Sequence, residues 1–219
     1  MSYALRAGLS FCRVEERLLF LDLIVDRYFC LSTEAERAFF RLYRAEPLDA
    51  ADQARLARLI AAGLIVDSGR AMIAPCPAAP PVTYSLIDAP TAERRVAGCA
   101  AALLSLSLAR IELRIAGMAR ALARISRRKH RLRRDACFER VARVAAAFEA
   151  ANALVSAHDR CLPRSLAVAH RLIDVGAAPD LVLGVKLAPF RAHAWIQCGE
   201  ALVNERLEVV RQFTPILVL

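Results

Sequence analysis

The sequence has no Cys-x-x-Cys pair, no glycine-rich phosphate loop and no apolar run long enough to cross a bilayer, and each gap removes a class of protein. Its seven cysteines (Cys12, Cys30, Cys76, Cys99, Cys137, Cys161 and Cys198) are odd in number, with no spacing suited to zinc. No metal is therefore expected, and free thiols point to a reducing, bacterial-type cytoplasm. The opening Met1-Ser2-Tyr3-Ala4-Leu5-Arg6 leads into no signal-peptide core, which agrees with that compartment. Without a glycine-rich loop there is no nucleotide cradle, so no cofactor is expected. The longest apolar stretch, Val96 to Ala109, holds 14 residues between Arg95 and Arg110. It is too short for a transmembrane segment and reads as a buried helix.

Positive charge is abundant. The net charge is +9, with 31 Lys+Arg against 22 Asp+Glu. Much of it lies in Arg127-Arg128-Lys129-His130-Arg131-Leu132-Arg133-Arg134. No aromatic residue interrupts that run, and no zinc-finger or RNA-binding fingerprint accompanies it. A solvated helix or turn is its first reading, ahead of an acidic partner or membrane surface, and nucleic acid comes last. Hydrophobic residues at 57% and charged ones at 24% indicate a folded chain, helix-rich because Ala and Leu alternate with Arg.

Three regions follow from the patterning. Residues 1–74 read as a small winged-helix-like module. Leu18 to Leu23 and Arg27 to Leu31 are β-prone, and the residues between them lack a strong turn signal. Ser32 or Thr33 can cap a helix from Glu34 to Arg44, with Glu36 completing a capping box. That helix buries Ala35, Ala38, Phe39 and Leu42. A second helix, Asp49 to Ala62, turns Leu56, Leu59 and Ile60 inward, and Leu64 to Val66 returns as a strand. Residues 75–90 begin with Pro75-Cys76-Pro77-Ala78-Ala79-Pro80-Pro81 and read as a linker. Residues 91–219 read as an α+β domain. Helical patterns run to about Ala157, broken by the basic run and by Asp135, a possible cap. A helix from Leu162 to Val175 follows, and then a small antiparallel sheet from Asp180 to Lys186, His193 to Cys198 and Glu200 to Asn204.

The chemistry gathers at the C-terminal end. Cys161 stands where a helix begins, with Pro163 in its first turn. Unpaired N–H groups and the helix dipole there favour a thiolate and could hold an oxyanion. A thiolate also needs a proton donor for its leaving group, and histidine is the usual one. His130 lies in the basic run, His170 lies within the cysteine's own helix, and His158 is only three residues from Cys161. His193, at the head of a strand, is left. Twelve residues on, Glu205 can orient the imidazole. By spacing alone the pair is weak, because buried structural cysteines are common.

The motifs Cys161-Leu162-Pro163-Arg164-Ser165-Leu166, Val185-Lys186 with Pro189-Phe190, Ala192-His193-Ala194-Trp195, and Val203-Asn204 occur in that order. Together they resemble the leader peptidase of lasso-peptide biosynthesis, the lasso B protein, a transglutaminase-like cysteine peptidase of papain-like arrangement. The resemblance covers roughly residues 90 to 219. The Leu21-Asp22-Leu23, Tyr28-Phe29 and Leu31 pattern resembles the peptide-recognition element of such pathways, here fused to the peptidase. What the resemblance implies is specific. Cys161 is the nucleophile, His193 the base and Glu205 the third member. The leader of a precursor peptide adds as a strand beside Arg27, Tyr28, Phe29, Cys30 and Leu31. It packs on the third helix of a three-helix module, around Gln53 and Leu56. The implied partner is a lasso cyclase of asparagine-synthetase type, to which any ATP dependence would belong.

Two positions depart from the family pattern. Glu205 replaces the usual Asp, which leaves Asn204 and Asp159 as rivals for the third role. Gln197 replaces a frequent Glu beside the His-Ala-Trp motif, which argues against catalysis there. A non-catalytic adaptor holding leader and cyclase, and an acyltransferase of transglutaminase type, are the alternative readings. Trp195 reads as core packing or as a specificity wall, and Arg164 as a substrate contact or an ion-paired helix residue.

Overall fold

The computed structural model describes residues 3–69, 73–88, 96–132, 137–152, 154 and 161–219. The chain divides into two compact units, Met1–Pro77 and Ala78–Leu219.

The first unit runs β1 (Tyr3–Leu5), β2 (Leu9–Val14), β3 (Arg17–Asp22), β4 (Arg27–Cys30), α1 (Thr33–Tyr43), α2 (Ala50–Ala61) and β5 (Ile65–Asp67). Strands β2, β3 and β4 form an antiparallel meander, while β1 pairs with β5. Alternation on the strands turns Leu9, Phe11, Leu18 and Phe20 to one face, where they meet Ala38, Phe39, Leu56 and Leu59 of the helices. The rings of Phe11 and Phe39 lie 5.5 and 5.2 Å from that of Phe20. Such pairs add about 1 kcal/mol each beyond their buried area.

Several expectations for this unit change. The β3–β4 turn does have a signal: the Asp22 carboxylate accepts from the Ile24 and Val25 N–H groups at 3.0 and 3.4 Å. Ser32 caps α1, accepting from Ala35 N–H. Glu36 forms no capping box. Its carboxylate is buried and accepts from Leu18 N–H at 2.6 Å and Arg17 Nε at 2.9 Å, because an enclosed main-chain donor requires an acceptor. The reciprocal box lies on α2, between Asp49 and Asp52. Ile60, expected inward, is 39% exposed. The inner stripe of α2 runs Asp52, Leu56, Leu59, and Ile60 falls beside it. Among the described residues this unit has two helices, where the resemblance implies three.

The second unit begins inside the expected linker. Its elements are β6 (Tyr84–Ser85), α3 (Val96–His130), α4 (Phe138–Asn152), α5 (Cys161–Asp174), β7 (Asp180–Lys186), β8 (Arg191–Cys198), β9 (Ala201–Leu202), α6 (Leu207–Val210) and β10 (Thr214–Val218). The sheet order is β10-β7-β8-β9-β6. Strand β6 runs parallel to β9, so the sheet is mixed rather than wholly antiparallel. Part of the expected linker, just after its prolines, is thus an edge strand, a position that tolerates prolines nearby. Pro215 hides β10 in the same way, since proline argues against a strand except at an edge.

Helix α3 bends at Gly117, whose φ of 78° and ψ of 166° are strained for any other residue. Past the bend, two members of the basic run are pinned. Arg128 bonds Asp174 at 2.6 Å and His170 Nδ1 at 2.7 Å, and His170 Nε2 meets Glu112 at 2.8 Å. Lys129 pairs with Asp180 and donates to the Leu219 carbonyl. Part of that run therefore fastens α3 to α5 and β7 instead of serving a partner. Arg133, Arg134 and Asp135 lie outside the described residues. No helix among the described residues is long and apolar enough to cross a membrane.

Helix α5 packs between α3 and strands β7 and β8. Ser165, Leu166, Ala167, Val168, Ala169, Leu172 and Ile173 are all buried. A helix apolar on nearly every side belongs in a core, and this one holds Cys161 rigidly at its first turn.

Candidate active site

Cys161 is the first residue of α5 and is half-buried. His193 lies on β8, directly opposite Gly184 of β7. The thiol and the imidazole are close enough that each shifts the other's protonation. Nε2 of His193 meets Glu205 Oε2 at 2.7 Å, which leaves Nδ1 as the ring nitrogen for the thiol. Glu205 is not in a strand, as expected, but in a bend three residues after β9. Two contacts fix that bend: Glu205 Oε1 accepts from Arg206 N–H at 3.0 Å, and the Glu205 carbonyl accepts from Ser85 Oγ at 2.7 Å.

The electrostatics favour charge separation. Burial pushes the Cys161 thiol up. The hydrogen bond and charge of His193, with the Ala194 and Leu162 N–H groups, outweigh it and bring the net pKa below the ordinary 9.0. Burial pushes His193 down, yet its bonds to Cys161 and Glu205 raise it to about 9. For Glu205, burial acts upward and is overcome by the His193 hydrogen bond, Arg206 N–H and the charges of His193 and Arg164, so its carboxyl is held below the usual range. The two shifts, the thiol down and the imidazole up, both favour a thiolate beside an imidazolium. Burial instead pushes Cys12 and Cys198 up to about 12, leaving them as inert thiols.

Asn204, a rival for the third position, does different work. Asn204 is 3% exposed; its Oδ1 accepts from Ile196 N–H at 2.8 Å and its Nδ2 donates to Ser165 Oγ at 3.0 Å. Ser165 in turn donates to the Ala194 carbonyl at 2.9 Å. Asn204 therefore staples α5 to β8 and makes no bond to His193. Asp159 and His158 lie outside the described residues. Gln197, 1% exposed, accepts from Trp195 Nε1 and donates to the Pro80 carbonyl, a structural place away from the imidazole.

Trp195 is packed, 3% exposed, with its ring 6.2 Å from that of His193. Phe213 flanks the imidazole at 5.2 Å. The two aromatics come close only because residue 184 is glycine: a Cβ there would sit 2.6 Å from Trp195 Cζ3 and 2.9 Å from Phe213 Cβ. The sequence gives Ser85 and Phe213 no signal of their own, and it shows Ser165 only as part of the cysteine motif. A hydroxyl in a helix and one before a loop look ordinary until the partners across the fold are known.

The Transglutaminase-like superfamily profile matches residues 102–218, more than half of the chain. The chain belongs to that superfamily. The match spans Cys161, His193 and Glu205. No curated protein and no solved structure matches the chain. The superfamily includes cysteine peptidases and acyltransferases, and cysteine-based catalysis is common in it.

In the first unit, the expected leader-binding residues divide. β4 pairs with β3 alone, so among the described residues its outer edge has no strand partner. Arg27, Cys30 and Gln53 are exposed, and Tyr28 and Phe29 are half-buried, with Phe29 stacked on Phe20 at 5.3 Å. Leu31 and Leu56 lie in the core, so they can support a bound peptide only from beneath. Seven free cysteines are present, and no group of three or more His, Cys, Asp or Glu suited to a metal occurs among the described residues.

The ion pair has a measurable consequence that requires no substrate. Alkylation of Cys161, followed on the peptide that carries it, should begin to rise below pH 9.0, the ordinary thiol value. It should rise again near pH 9 as His193 loses its proton and the thiolate is freed from the imidazolium. A single sigmoid centred on an ordinary thiol would rule out the pair.

Proposed function

We propose that the chain is a leader peptidase of lasso-peptide maturation, with Cys161, His193 and Glu205 as its catalytic row. The carrying observation is that row itself, a helix-start cysteine beside a strand histidine that is hydrogen-bonded to a carboxylate. The Cys161 thiolate attacks the carbonyl that ends the leader, and the imidazolium protonates the departing core amine. His193 then takes a proton from water, which attacks the thioester and releases the leader as its acid. Glu205 keeps the ring oriented and stabilises its charged form. The freed core amine is the substrate an asparagine-synthetase-type cyclase would join to a side-chain carboxylate, with ATP used there. Such a pair would work in the cytoplasm. The lowered pKa of Cys161 weighs against a non-catalytic adaptor, whose thiol has no reason to be activated.

The winged-helix-like first module is the proposed leader receptor. The open edge of β4 suits strand addition, in which main-chain hydrogen bonds give affinity and neighbouring side chains give selectivity. Arg27, Tyr28, Phe29 and Cys30 would line the added strand, with Gln53 on α2 beyond it.

Incubation with a leader–core precursor encoded beside this chain tests the proposal by mass. Leader acid and free core amine are expected. A leader amide formed with added small amine would establish the acyltransferase reading, and an unchanged precursor would overturn both. A fragment of residues 1–77 should fold alone and bind the leader. A folded fragment without binding would move recognition to the second unit.

A further inference from the structure

The sheet face that carries His193 also carries two cations. Strands β7 and β8 pair with Gly184 opposite His193 and Lys186 opposite Arg191, and alternate residues of a strand share one face. Lys186 and Arg191 therefore stand two residues beyond the Gly184–His193 pair, about 7 Å along the strands. Phe213 marks the same side: its ring lies 5.2 Å from the imidazole, and Lys186 Nζ lies 5.3 Å from its centroid. Like charges directly opposite one another weaken a strand pair. Nothing on the sheet relieves this one. Lys186 Nζ donates to the neutral Gln212 Oε1 at 3.0 Å, and among the described residues neither cation has a carboxylate within 4.0 Å. The cations that fasten this unit together behave differently, since Arg128 meets Asp174 at 2.6 Å and Arg164 meets Glu149 at 3.0 Å. Lys186 and Arg191 are thus a paired positive charge beside the reacting groups, with no anion of their own.

We propose that Lys186 and Arg191 form a subsite beside the imidazole that selects substrates bearing a carboxylate close to the scissile bond. The inference deepens the peptidase reading and rests on the Cys161–His193 site. His193 gives its proton to the departing amine, so its neighbours on that face meet the part of the substrate that leaves with the amine. An extended peptide advances about 3.3 Å per residue, so about 7 Å corresponds to two residues. An Asp or Glu side chain within the first few core residues therefore comes within reach of both cations. The carboxylate takes the place of the missing counter-ion and turns a like-charge pair into a two-pronged clamp. The ring of Phe213 supplies an apolar wall for the stem of that side chain. Both cations set specificity and carry no step of bond-making.

The test uses Cys161 itself and needs no precursor. The probes are bromoacetyl-Gly-Glu amide and bromoacetyl-Gly-Gln amide, which differ in a single charge. The thiolate displaces bromide and forms a thioether, and the peptide portion then extends from the attacked carbon toward the leaving-group side. The wild-type protein should react roughly three- to tenfold faster with the Glu probe. That advantage should shrink at high salt. In the double variant Lys186→Gln with Arg191→Gln the ratio of the two rates should fall toward one, whereas Lys186→Arg should keep it. A merely structural pair would change both rates together and leave the ratio in place. If the double variant fails to fold, Arg191→Gln alone, at an exposed position, must lower the ratio. A ratio near one in the wild type, or one unmoved in a folded variant that lacks the charge, overturns the proposal. A precursor left uncleaved while the ratio behaves as expected would overturn the peptidase reading and leave the subsite standing.

Discussion

Cys161→Ala is expected to abolish leader cleavage while leaving leader binding unchanged. The substitution removes a thiol whose burial is offset by an imidazole and two main-chain donors, and no other group in the row can form the acyl intermediate. His193→Ala should fail almost as completely. It deprives the thiol of its hydrogen bond and counter-charge and the leaving amine of its acid. Members of one catalytic unit lose most of their effect together, so each loss should exceed about 10³-fold, and the double variant should be little worse. Leader affinity, measured by fluorescence or calorimetry, should stay within about twofold, because the proposed receptor is a strand edge of the first unit and Cys161 belongs to the second. Cleavage by either variant above a few thousandths of the wild-type rate would move the active site elsewhere.

Glu205 and Asn204 should separate chemistry from stability. Glu205→Ala leaves His193 without the partner at 2.7 Å and should slow single-turnover cleavage by about 10²-fold or more, with folding largely kept. Glu205→Gln should be worse than Glu205→Asp, because the amide removes the charge and can hold the wrong tautomer. Asn204→Ala leaves the Ile196 N–H without its acceptor inside the core, at a cost of about 1–3 kcal/mol. It should lower the melting temperature, while the fraction that remains folded should cleave normally. The reverse outcome, a stable but inactive Asn204→Ala beside a normal Glu205→Ala, would give the third position to Asn204.

Much of this fold is written in short-range pattern. The continuous apolar run Leu18 to Leu21 marks β3, and the spacing of Ala38, Phe39, Leu56 and Leu59 marks the inward faces of α1 and α2. The run Asp180 to Lys186 is β7 to the residue. These elements are legible because their own residues supply the periodic burial that stabilises them. Tyr84–Ser85 and Thr214–Val218 are different. Each is short, proline-bearing or proline-flanked, and becomes a strand only because a partner edge lies beside it. Glu36 was misread as a cap for the same reason: its real partner, Leu18 N–H, is eighteen residues away.

Within the site, the sequence alone pointed to the two residues that have a local signature: a cysteine at a helix start with proline in the first turn, and a histidine leading an apolar strand. It also confined the search to thiol chemistry, because glycine-rich loops and paired cysteines are missing. Tertiary structure decided everything that depends on direction across the fold. It put Glu205 rather than Asn204 on His193 Nε2, although the two are adjacent in sequence, because the bend after β9 turns one side chain to the imidazole and the other into the core. It took Arg128 and Lys129 out of the basic run and set them against Asp174 and Asp180. It enclosed Arg164 with Glu149. Backbone periodicity is a property of neighbouring residues, whereas hydrogen bonds and ion pairs between distant residues exist only once packing has brought their atoms within reach.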